Sequence, residues 1–458
     1  MAATTVTPDQ LTGARTTPGI ERAPGRWITN WDPEDPAYWE GGGRSVARRN
    51  LVFSILAEHL GFSVWVIWSI VTVNLNSVGF AFTDSQLFWL VAIPNLVGAT
   101  LRLPYTFAVP RFGGRNWTVV SALLLVIPCA ALAWAVSNPD TSFGVMLFVA
   151  ALAGFGGGNF ASSMTNISWF YPEKEKGWAL GLNAAGGNIG VAVVQAPFVV
   201  SAVITAGVGI HLGRAGLMYI PLALLAAFAA WRYMDNLTVA KTDFASSAAA
   251  ARKKHTWVMS FLYIGTFGSF IGYAAAFPLL IKGQFPDVNV TTYAFLGALV
   301  GSLVRPFGGR LSDRVGGARV TAASFVAMAL GVLGVVWSLD LNSFGLFFTA
   351  FMLLFVATGV GNGSTYRMIP AIFRHDVDGT DAAAVTVARR QAAAAIGIIS
   401  AIGAYGGFLV PRTYGWATAS FGSIVPALYV YVGLYVVMLA VTWAFYLRRG
   451  SEMGKVGV

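Results

Sequence analysis

The chain has 458 residues, of which 56% are hydrophobic and only 11% are charged. Soluble proteins carry about 25% charged residues, so this composition excludes an ordinary soluble domain and indicates a chain that resides in lipid. The net charge of +10 does not indicate a nucleic-acid-binding protein, because the basic residues are dispersed over short loops between apolar runs. A lone cysteine, Cys129, and four scattered histidines predict no disulfide framework, metal site or cofactor.

Apolar runs of about 20 residues are long enough to cross a bilayer of about 30 Å, and they recur along the whole chain. The sequence therefore predicts an all-α polytopic membrane protein with twelve transmembrane helices, six in each half. We place these helices near residues 50–80, 86–108, 116–137, 142–169, 177–204, 215–233, 256–282, 290–309, 319–339, 343–373, 384–409 and 421–447.

This pattern divides the chain into a tail at 1–49, a six-helix bundle at 50–233, a linker at 234–255, a second bundle at 256–447 and a tail at 448–458. Basic residues concentrate in the loops on one side, which is the signature of the cytoplasmic side, whereas the opposite loops hold few, Arg412 among them. Both termini and the linker are therefore predicted to be cytoplasmic, and we expect no cleaved signal peptide. The linker is interpreted as a solvated tether, with contact to lipid headgroups as the alternative.

The two halves are copies of one unit. The segment GALVGSLVRPFGGRLSDRVGG at 297–317 matches NLVGATLRLPYTFAVPRFGG at 95–114 with a constant shift of 203 residues. The shift pairs Arg102 with Arg305, Asn159 with Asn362 and Trp134 with Trp337. Parallel six-helix repeats are the plan of one large class of transporters, whose site lies near the midplane between the halves.

Each repeat contributes one arginine, Arg102 or Arg305, inside an apolar run without a carboxylate neighbour. A charge at the centre of a membrane helix costs about 2.5–3.5 kcal/mol, so two of them require a compensating partner. We interpret that partner as an anionic substrate, with snorkelling of both side chains to the cytoplasmic face as the alternative. The planar guanidinium donates two parallel hydrogen bonds, which suits a small planar monovalent anion. Arg367 lies nearer its helix end, and there snorkelling is favoured.

Several other polar and aromatic side chains fall at membrane depth. Tyr263 and Phe267 are four residues apart and share a helix face, where core packing is the alternative to lining a site. Glu58 and His59 are the chief protonatable residues in a membrane run and are candidates for proton coupling. The alternative is that Glu58 pairs with Arg48 or Arg49. Further candidates for the site are Phe160, Asn183 and Asn188.

Small residues recur about one turn apart in the fifth and eleventh predicted helices, which lets helix backbones approach closely and slide. The glycines concerned are Gly177, Gly181, Gly186 and Gly190 in the fifth helix and Gly403 and Gly407 in the eleventh. Packing alone is the alternative to a gating role.

Three segments carry a family resemblance. GRLSDRVGG at 309–317, with Gly309, Asp313 and Arg314, resembles the loop signature of the major facilitator superfamily, although the first-half copy has Pro110 in place of the acid. Residues 153–190 resemble the signature region of the nitrate/nitrite porters within that superfamily. Residues 359–373 and 394–408 resemble its second-half counterpart, and the resemblance covers roughly residues 28–447.

The resemblance implies a major facilitator fold in which Arg102 and Arg305 clamp nitrate or nitrite. It also implies that Asn188, Tyr263, Phe160 and Phe267 shape the pocket, with Asn183 as a further asparagine. We therefore expect a nitrate/nitrite antiporter that works by alternating access, with proton-coupled nitrate symport through Glu58 and His59, or a small organic-anion carrier, as alternatives. We expect no enzyme activity, and a functional monomer among the lipids of a bacterial inner membrane.

Overall fold

The computed structural model describes residues 19–240, 244–375, 382–451 and 453–455. Within these ranges it contains twelve helices that are long and apolar enough to cross a membrane, as the sequence predicts. We label them α1 Pro36–Val78, α2 Asp84–Phe112, α3 Gly114–Ala135, α4 Phe143–Phe170, α5 Glu173–Gln195, α6 Gly213–Tyr233, α7 Lys254–Gln284, α8 Val290–Val315, α9 Gly317–Asp340, α10 Phe344–His375, α11 Arg390–Phe421 and α12 Val425–Leu447.

The repeat is visible in how α2 and α8 begin and end. Thr83 and Gln86 form a reciprocal capping box at the start of α2, and the Asn289 side chain accepts a hydrogen bond from the Thr291 backbone N–H at the start of α8. Both helices stop at a glycine with positive φ, Gly113 at 90° and Gly316 at 94°, a conformation that side chains resist. These glycines occupy equivalent positions in the two copies.

The outer surface of the helices is apolar. Large hydrophobic side chains such as Phe148, Phe198, Trp134 and Trp337 are exposed there, and the last two are repeat partners. Such a surface is costly in water and matches the lipid environment of a spanning helix.

Two six-helix bundles meet along a seam that runs through the middle of the molecule. In the first bundle α2 packs against α4 and α1 against α5, and in the second bundle α8 packs against α10. Across the seam α2 contacts α11, α5 contacts α8, and α1 contacts α7. The two repeat arginines lie on α2 and α8, so both belong to helices of the seam.

Several predicted helix ends are wrong. The first helix is already regular at Arg44–Trp65 and resumes at Trp68–Leu75, and the fifth helix ends at Gln195, where Ala196 turns extended. Helical structure begins at Ala382, ahead of the spanning part α11, and runs over Ala382–Ala404 and Gly406–Phe421. The predicted loop after residue 409 is therefore helical. Its charge is accommodated because the Arg412 guanidinium stacks on the Trp89 ring at 3.9 Å.

The first part of the linker is not a solvated tether. Three two-residue strands, β1 Arg22–Ala23, β2 Trp27–Ile28 and β3 Asn236–Leu237, join the linker to the amino-terminal segment, with β3 parallel to β2. Asp235, just before β3, is fully buried and forms salt bridges with three arginines, Arg22, Arg26 and Arg49. A short helix, Phe244–Arg252, follows before α7.

The amino-terminal segment also covers the ends of α4 and α5. The Trp31 indole N–H donates to the Trp169 carbonyl at 3.0 Å, and the Trp39 indole N–H donates to Glu175 at 3.3 Å. The Trp39 ring packs edge-on against Tyr171. Residues 19–43, predicted as part of a tail, are thus folded onto the first bundle.

Candidate functional site

Arg102 lies in the middle of α2 with its side chain fully buried, at 0% exposure. Its Nε donates to the Gly157 carbonyl in α4 at 3.3 Å, and its Nη1 donates to the Ser400 carbonyl in α11 at 2.9 Å. The remaining Nη2 has no hydrogen-bond partner among the described residues. The side chain therefore reaches across the seam and keeps one donor uncommitted.

Aromatic rings surround this guanidinium. The Phe160 ring lies 4.6 Å from its central carbon, Phe267 lies at 4.9 Å and Trp65 at 5.4 Å. Phe160 and Phe267 come from opposite bundles and stack on each other at 6.2 Å. Ring faces stabilise a cation when water is excluded, so they offset part of the cost of burying Arg102.

Arg305 occupies the equivalent place in α8 and is 6% exposed. Its guanidinium lies 5.5 Å from the Tyr366 ring, and its Nη1 has no hydrogen-bond partner in the described parts of the chain. Tyr263 stacks on Phe267 at 5.4 Å and lies 6.3 Å from the Tyr366 ring, and its hydroxyl has no hydrogen-bond partner among the described residues. The two rings of Tyr263 and Phe267 stack on each other, as expected for one helix face, although Phe267 lies within a single turn of π-helix, Ile264–Gly268, that begins directly after Tyr263.

Neither guanidinium forms a salt bridge with a described residue. The salt bridges formed by described residues use Glu40, Glu173, Glu175, Asp235 and Asp313, and none of them involves Arg102 or Arg305. The two arginines lie within electrostatic reach of each other. Their burial excludes the snorkelling alternative, because neither side chain reaches the surface.

The two predicted asparagines differ in what they bind. Asn188 is buried, and neither its amide oxygen nor its amide nitrogen has a partner among the described residues. Asn183 donates from its amide nitrogen to the Glu58 carboxylate at 2.7 Å and to the Ser163 hydroxyl at 2.6 Å. Asn188 is thus available to a ligand, whereas Asn183 is committed to Glu58.

Glu58 does not pair with the arginines at the start of α1. Arg49 instead binds Asp235 and the Tyr233 carbonyl, and no salt bridge between described residues joins Glu58 to Arg48 or Arg49. Glu58 is 0% exposed and lies within electrostatic reach of both Arg102 and Arg305. His59 is half-buried and its Nδ1 contacts the Gly186 carbonyl at 3.1 Å, so the two neighbours face different surroundings.

The glycines of α5 and α11 fall into two groups. An added Cβ at Gly190 would collide with the His59 carbonyl, at Gly186 with Ile55, at Gly403 with Tyr263 and at Gly407 with Ile271. At Gly177 and Gly181 it would meet no described atom within 4 Å, so the close packing predicted there is not found. The first group marks where backbones approach closely.

The loop signature lies at the end of α8, away from the arginine pair. Asp313 forms a salt bridge with Arg367 on α10, and both side chains are about half exposed. Arg314 is exposed, and a Cβ added at Gly309 would lie 3.9 Å from the Gly363 carbonyl oxygen. Arg367 is therefore held at the end of the bundle by this salt bridge, and the snorkelling favoured for it stays a prediction.

Sequence reasoning missed four contributors to the site: Trp65, Tyr366 and the carbonyls of Gly157 and Ser400. The shift of 203 pairs Tyr366 with Ser163, so the repeat gave no signal for it. The repeat does indicate Asn159 and Asn362, because the shift of 203 pairs one asparagine with the other. Both are buried with side-chain oxygens that have no partner among the described residues.

Residues 52–393 match the family model of the Major Facilitator Superfamily. Solved structures with the same fold include a D-xylose-proton symporter (TM-score 0.65, 16% identity, 89% of this chain and 98% of that chain covered). The human organic anion transporter MFSD10 also matches (TM-score 0.61, 13% identity, 86% and 99% covered). The family match and the twelve spanning helices thus make the chain a multi-pass membrane transporter rather than an enzyme.

Similar curated proteins identify the family of transporters to which the chain belongs. The nitrate/nitrite transporter NarU of Salmonella typhimurium is 45% identical over 445 residues, covering 92% of this chain and 96% of that protein. The probable nitrate/nitrite antiporter NarK2 of Thermus thermophilus is 37% identical, with 94% and 99% covered. The chain belongs to the NarK-type nitrate/nitrite porters of the Major Facilitator Superfamily.

Proposed function

We propose that this protein transports nitrate and nitrite across the membrane by alternating access, with the anion held between Arg102 and Arg305. The observation that carries the proposal is the pair of buried guanidinium groups at the seam. Each keeps an N–H donor without a protein partner, and neither has a salt bridge among the described residues. The names of the relatives support the choice of anion.

The surroundings of the arginines suit a small planar oxyanion. Phe160 and Phe267 supply apolar ring faces, while Asn188 and Tyr263 add neutral polar groups. Charge-assisted hydrogen bonds from guanidinium to an oxyanion are about twice as strong as neutral ones. A flat anion that lies between the forks accepts such bonds from both bundles at once.

Anion binding is coupled to closure of the seam by electrostatics. Two unit positive charges about 4 Å apart repel by about 4 kcal/mol at an effective dielectric constant near 20. A bound monovalent anion replaces that repulsion with two attractions, one to each bundle. The loaded carrier therefore closes and reorients more readily than the unloaded carrier, which favours exchange over leak.

The membrane potential supports antiport. Importing one monovalent anion against an inside-negative potential of 100 mV costs about 2.3 kcal/mol. One-for-one exchange of nitrate and nitrite removes this cost because no net charge moves. We therefore propose nitrate/nitrite antiport as the transport mode.

Proton-coupled nitrate symport is the second candidate, and the burial of Glu58 beside both arginines favours it. A carboxyl group that binds a proton in one orientation of the carrier and releases it in the other would drive anion import. His59 contacts α5 and would serve as its proton-exchange neighbour.

In this proposal the amino-terminal segment, the linker and the carboxyl-terminal tail lie on the cytoplasmic side, which the concentration of basic residues in the loops of that side supports. The bundles at 50–233 and 256–447 would rock against each other as the two moving bodies. The protein would function as a monomer surrounded by lipid, because each chain supplies both arginines of its site.

The deciding experiment is transport by the purified chain in proteoliposomes, with nitrate, nitrite and the proton gradient varied independently. Antiport predicts that internal nitrite accelerates uptake of labelled nitrate and that a proton gradient alone does not drive it. Uptake driven by the gradient without internal anion would support symport. Preference for small carboxylates over both nitrogen oxyanions would identify an organic-anion carrier and reject the proposal.

A further inference from the structure

One cation of the seam takes no part in the site described above. Arg412 lies on α11, twelve residues beyond Ser400, and its guanidinium stacks on the Trp89 ring of α2 at 3.9 Å. Trp89 in turn lies thirteen residues before Arg102. At 1.5 Å per residue both separations are about 18–20 Å along the helices. Arg412 and Trp89 therefore join the two bundles at a level well away from the arginine pair.

This contact lies at the end of the molecule opposite to the small sheet. Helix α2 begins at Asp84, five residues before Trp89. The helix stops at Gly113, where an added Cβ would meet the Asn236 side chain of strand β3. The sheet belongs to segments that we expect on the cytoplasmic side, so Arg412 lies toward the outer opening of the seam.

The Arg412 guanidinium has no anionic partner in the described parts of the chain. Its Nη1 is buried without a hydrogen-bond partner there, and no salt bridge between described residues involves it. An added Cβ at Gly415 would lie 2.9 Å from this Nη1 and 2.9 Å from the Cβ of Phe88, so the glycine leaves room for the guanidinium where α11 approaches α2. The Trp89 ring stabilises the cation but accepts no conventional hydrogen bond from it.

The repeat does not reproduce this cation. The shift of 203 residues pairs Arg412 with Gly209 and Trp89 with Thr292. Neither partner carries a charge or a ring, so the matching edge of the seam, where α5 meets α8, has no such pair. The symmetric packing of the two bundles therefore does not by itself account for a cation at position 412.

We propose that Arg412 is a second anion-binding site, through which nitrate or nitrite enters and leaves the seam at its outer end. The Trp89 ring covers the guanidinium while the bundles are closed at this end. When they separate there, α11 carries the guanidinium away from α2, and an anion takes the place of the ring. This inference rests on the proposed function, because it assigns a step on the route of the same anion.

The physical effect of such a site is on the rate of association. A cation at the opening of a cleft raises the association rate of an anion by a factor of about 10 to 1000, and salt screens this effect. Arg412 would thus supply anion to the pair formed by Arg102 and Arg305 without taking part in the central site.

The test measures nitrate/nitrite exchange by the purified chain in proteoliposomes, with nitrate concentration and ionic strength varied, the latter with sodium gluconate. Arg412→Gln is expected to lower the exchange rate about tenfold at nitrate concentrations well below half-saturation and to change the saturated rate less than about twofold. The rate at low nitrate should fall as ionic strength rises in the wild type and should vary less in Arg412→Gln. A role in packing alone would not produce this difference in salt dependence.

Four further variants separate the charge from the contact. Arg412→Met fills similar space without a charge and should reproduce the changes of Arg412→Gln. Arg412→Lys keeps the charge and should keep most of the rate at low nitrate. Trp89→Leu removes the ring but leaves the cation, and it should keep that rate as well. Lys282→Gln removes an exposed cation near the end of α7 and should change neither the rate at low nitrate nor its salt dependence.

The inference is overturned if Arg412→Gln and Arg412→Met exchange nitrate at low concentration as the wild type does. Equal losses in Arg412→Gln and Trp89→Leu, at low and at saturating nitrate alike, would also overturn it and assign the pair to closure of the seam alone. These failures are distinct from failure of the proposed function, which would appear as absence of nitrate/nitrite exchange in the wild-type chain itself.

Discussion

Lysine at position 102 or 305 would carry the same charge as Arg102 or Arg305, but its ammonium group has a different hydrogen-bonding geometry from the planar guanidinium. Arg102 uses Nε and Nη1 for two backbone carbonyls and still presents Nη2, so one side chain holds its position and keeps a donor available. A lysine ammonium is a compact point charge on a flexible stem and cannot make this set of contacts.

Replacing either arginine with lysine, as Arg102→Lys or Arg305→Lys, is expected to lower nitrate uptake at least about 100-fold. The loss of one or two charge-assisted hydrogen bonds, each about 1.5–3 kcal/mol, accounts for this magnitude. The measurement is uptake in proteoliposomes at matched protein content. Arg319→Lys, at an exposed position, is the control. Uptake near the wild-type rate in both site variants would remove the arginine clamp from the mechanism.

The repeat made the arginines predictable, because a rare charge at the same place in two copies is a strong signal. The aromatic neighbours could not be selected in the same way, since 14% of the chain is aromatic and most of these rings pack the core. Tyr366 became evident only when α10 was seen to bring it to 5.5 Å from Arg305. The commitment of Asn183 to Glu58 likewise depends on three helices meeting.

At the level of single helices, α5 provides a matched pair of glycines. Gly190→Ala is expected to lower the stability of the protein by about 1–3 kcal/mol, because the new methyl group collides with the His59 carbonyl of α1. Gly181→Ala has open space and is expected to be neutral or slightly stabilising, since alanine is the better helix former. Thermal unfolding of both variants in detergent checks the difference. Equal melting temperatures would show that α1 and α5 do not meet at Gly190.

The contact between the linker and the amino-terminal segment is a second element whose strength can be measured. Asp235→Ala is expected to destabilise this segment by about 3 kcal/mol or more, because three arginines lose their common partner. Limited proteolysis should then cut within residues 19–43, which we expect to resist cleavage in the wild type. Asp84→Ala, at an exposed site on the first turn of α2, should leave the cleavage pattern unchanged.

Helix number followed from hydropathy, whereas several helix ends and the small sheet did not. The hydropathy pattern predicts a loop after residue 409 that holds Arg412, but the Trp89 ring accommodates its charge and α11 continues to Phe421. Strand β3 has two residues and pairs with a segment more than 200 positions away, so no local pattern indicates it. Both features depend on tertiary contacts.

For the molecule as a whole, two cross-links test the seam on either side of Arg102. A Cβ at Gly407 would lie 3.0 Å from the Asn95 amide carbon, and one at Gly397 would lie 3.7 Å from the Thr106 methyl group. Contacts this close place each pair within reach of a disulfide. Asn95→Cys with Gly407→Cys, and Thr106→Cys with Gly397→Cys, join α2 to α11 at two levels.

Oxidation of either pair is expected to lower transport at least about tenfold, and reduction to restore it, because each contact must open in one half of an alternating-access cycle. The single cysteine variants under oxidising conditions are the controls, and the buried Cys129 adds little background. If one oxidised pair transports at the full rate, the bundles do not separate at that level.

The hydrogen bond from Arg102 to the Ser400 carbonyl has a consequence for motion. This hydrogen bond joins the first bundle to the second through the Arg102 guanidinium, the same group that is proposed to bind the anion. An anion that attracts the Arg102 guanidinium competes with this hydrogen bond. Anion binding would therefore also weaken a contact that holds the two bundles together and so opposes their separation.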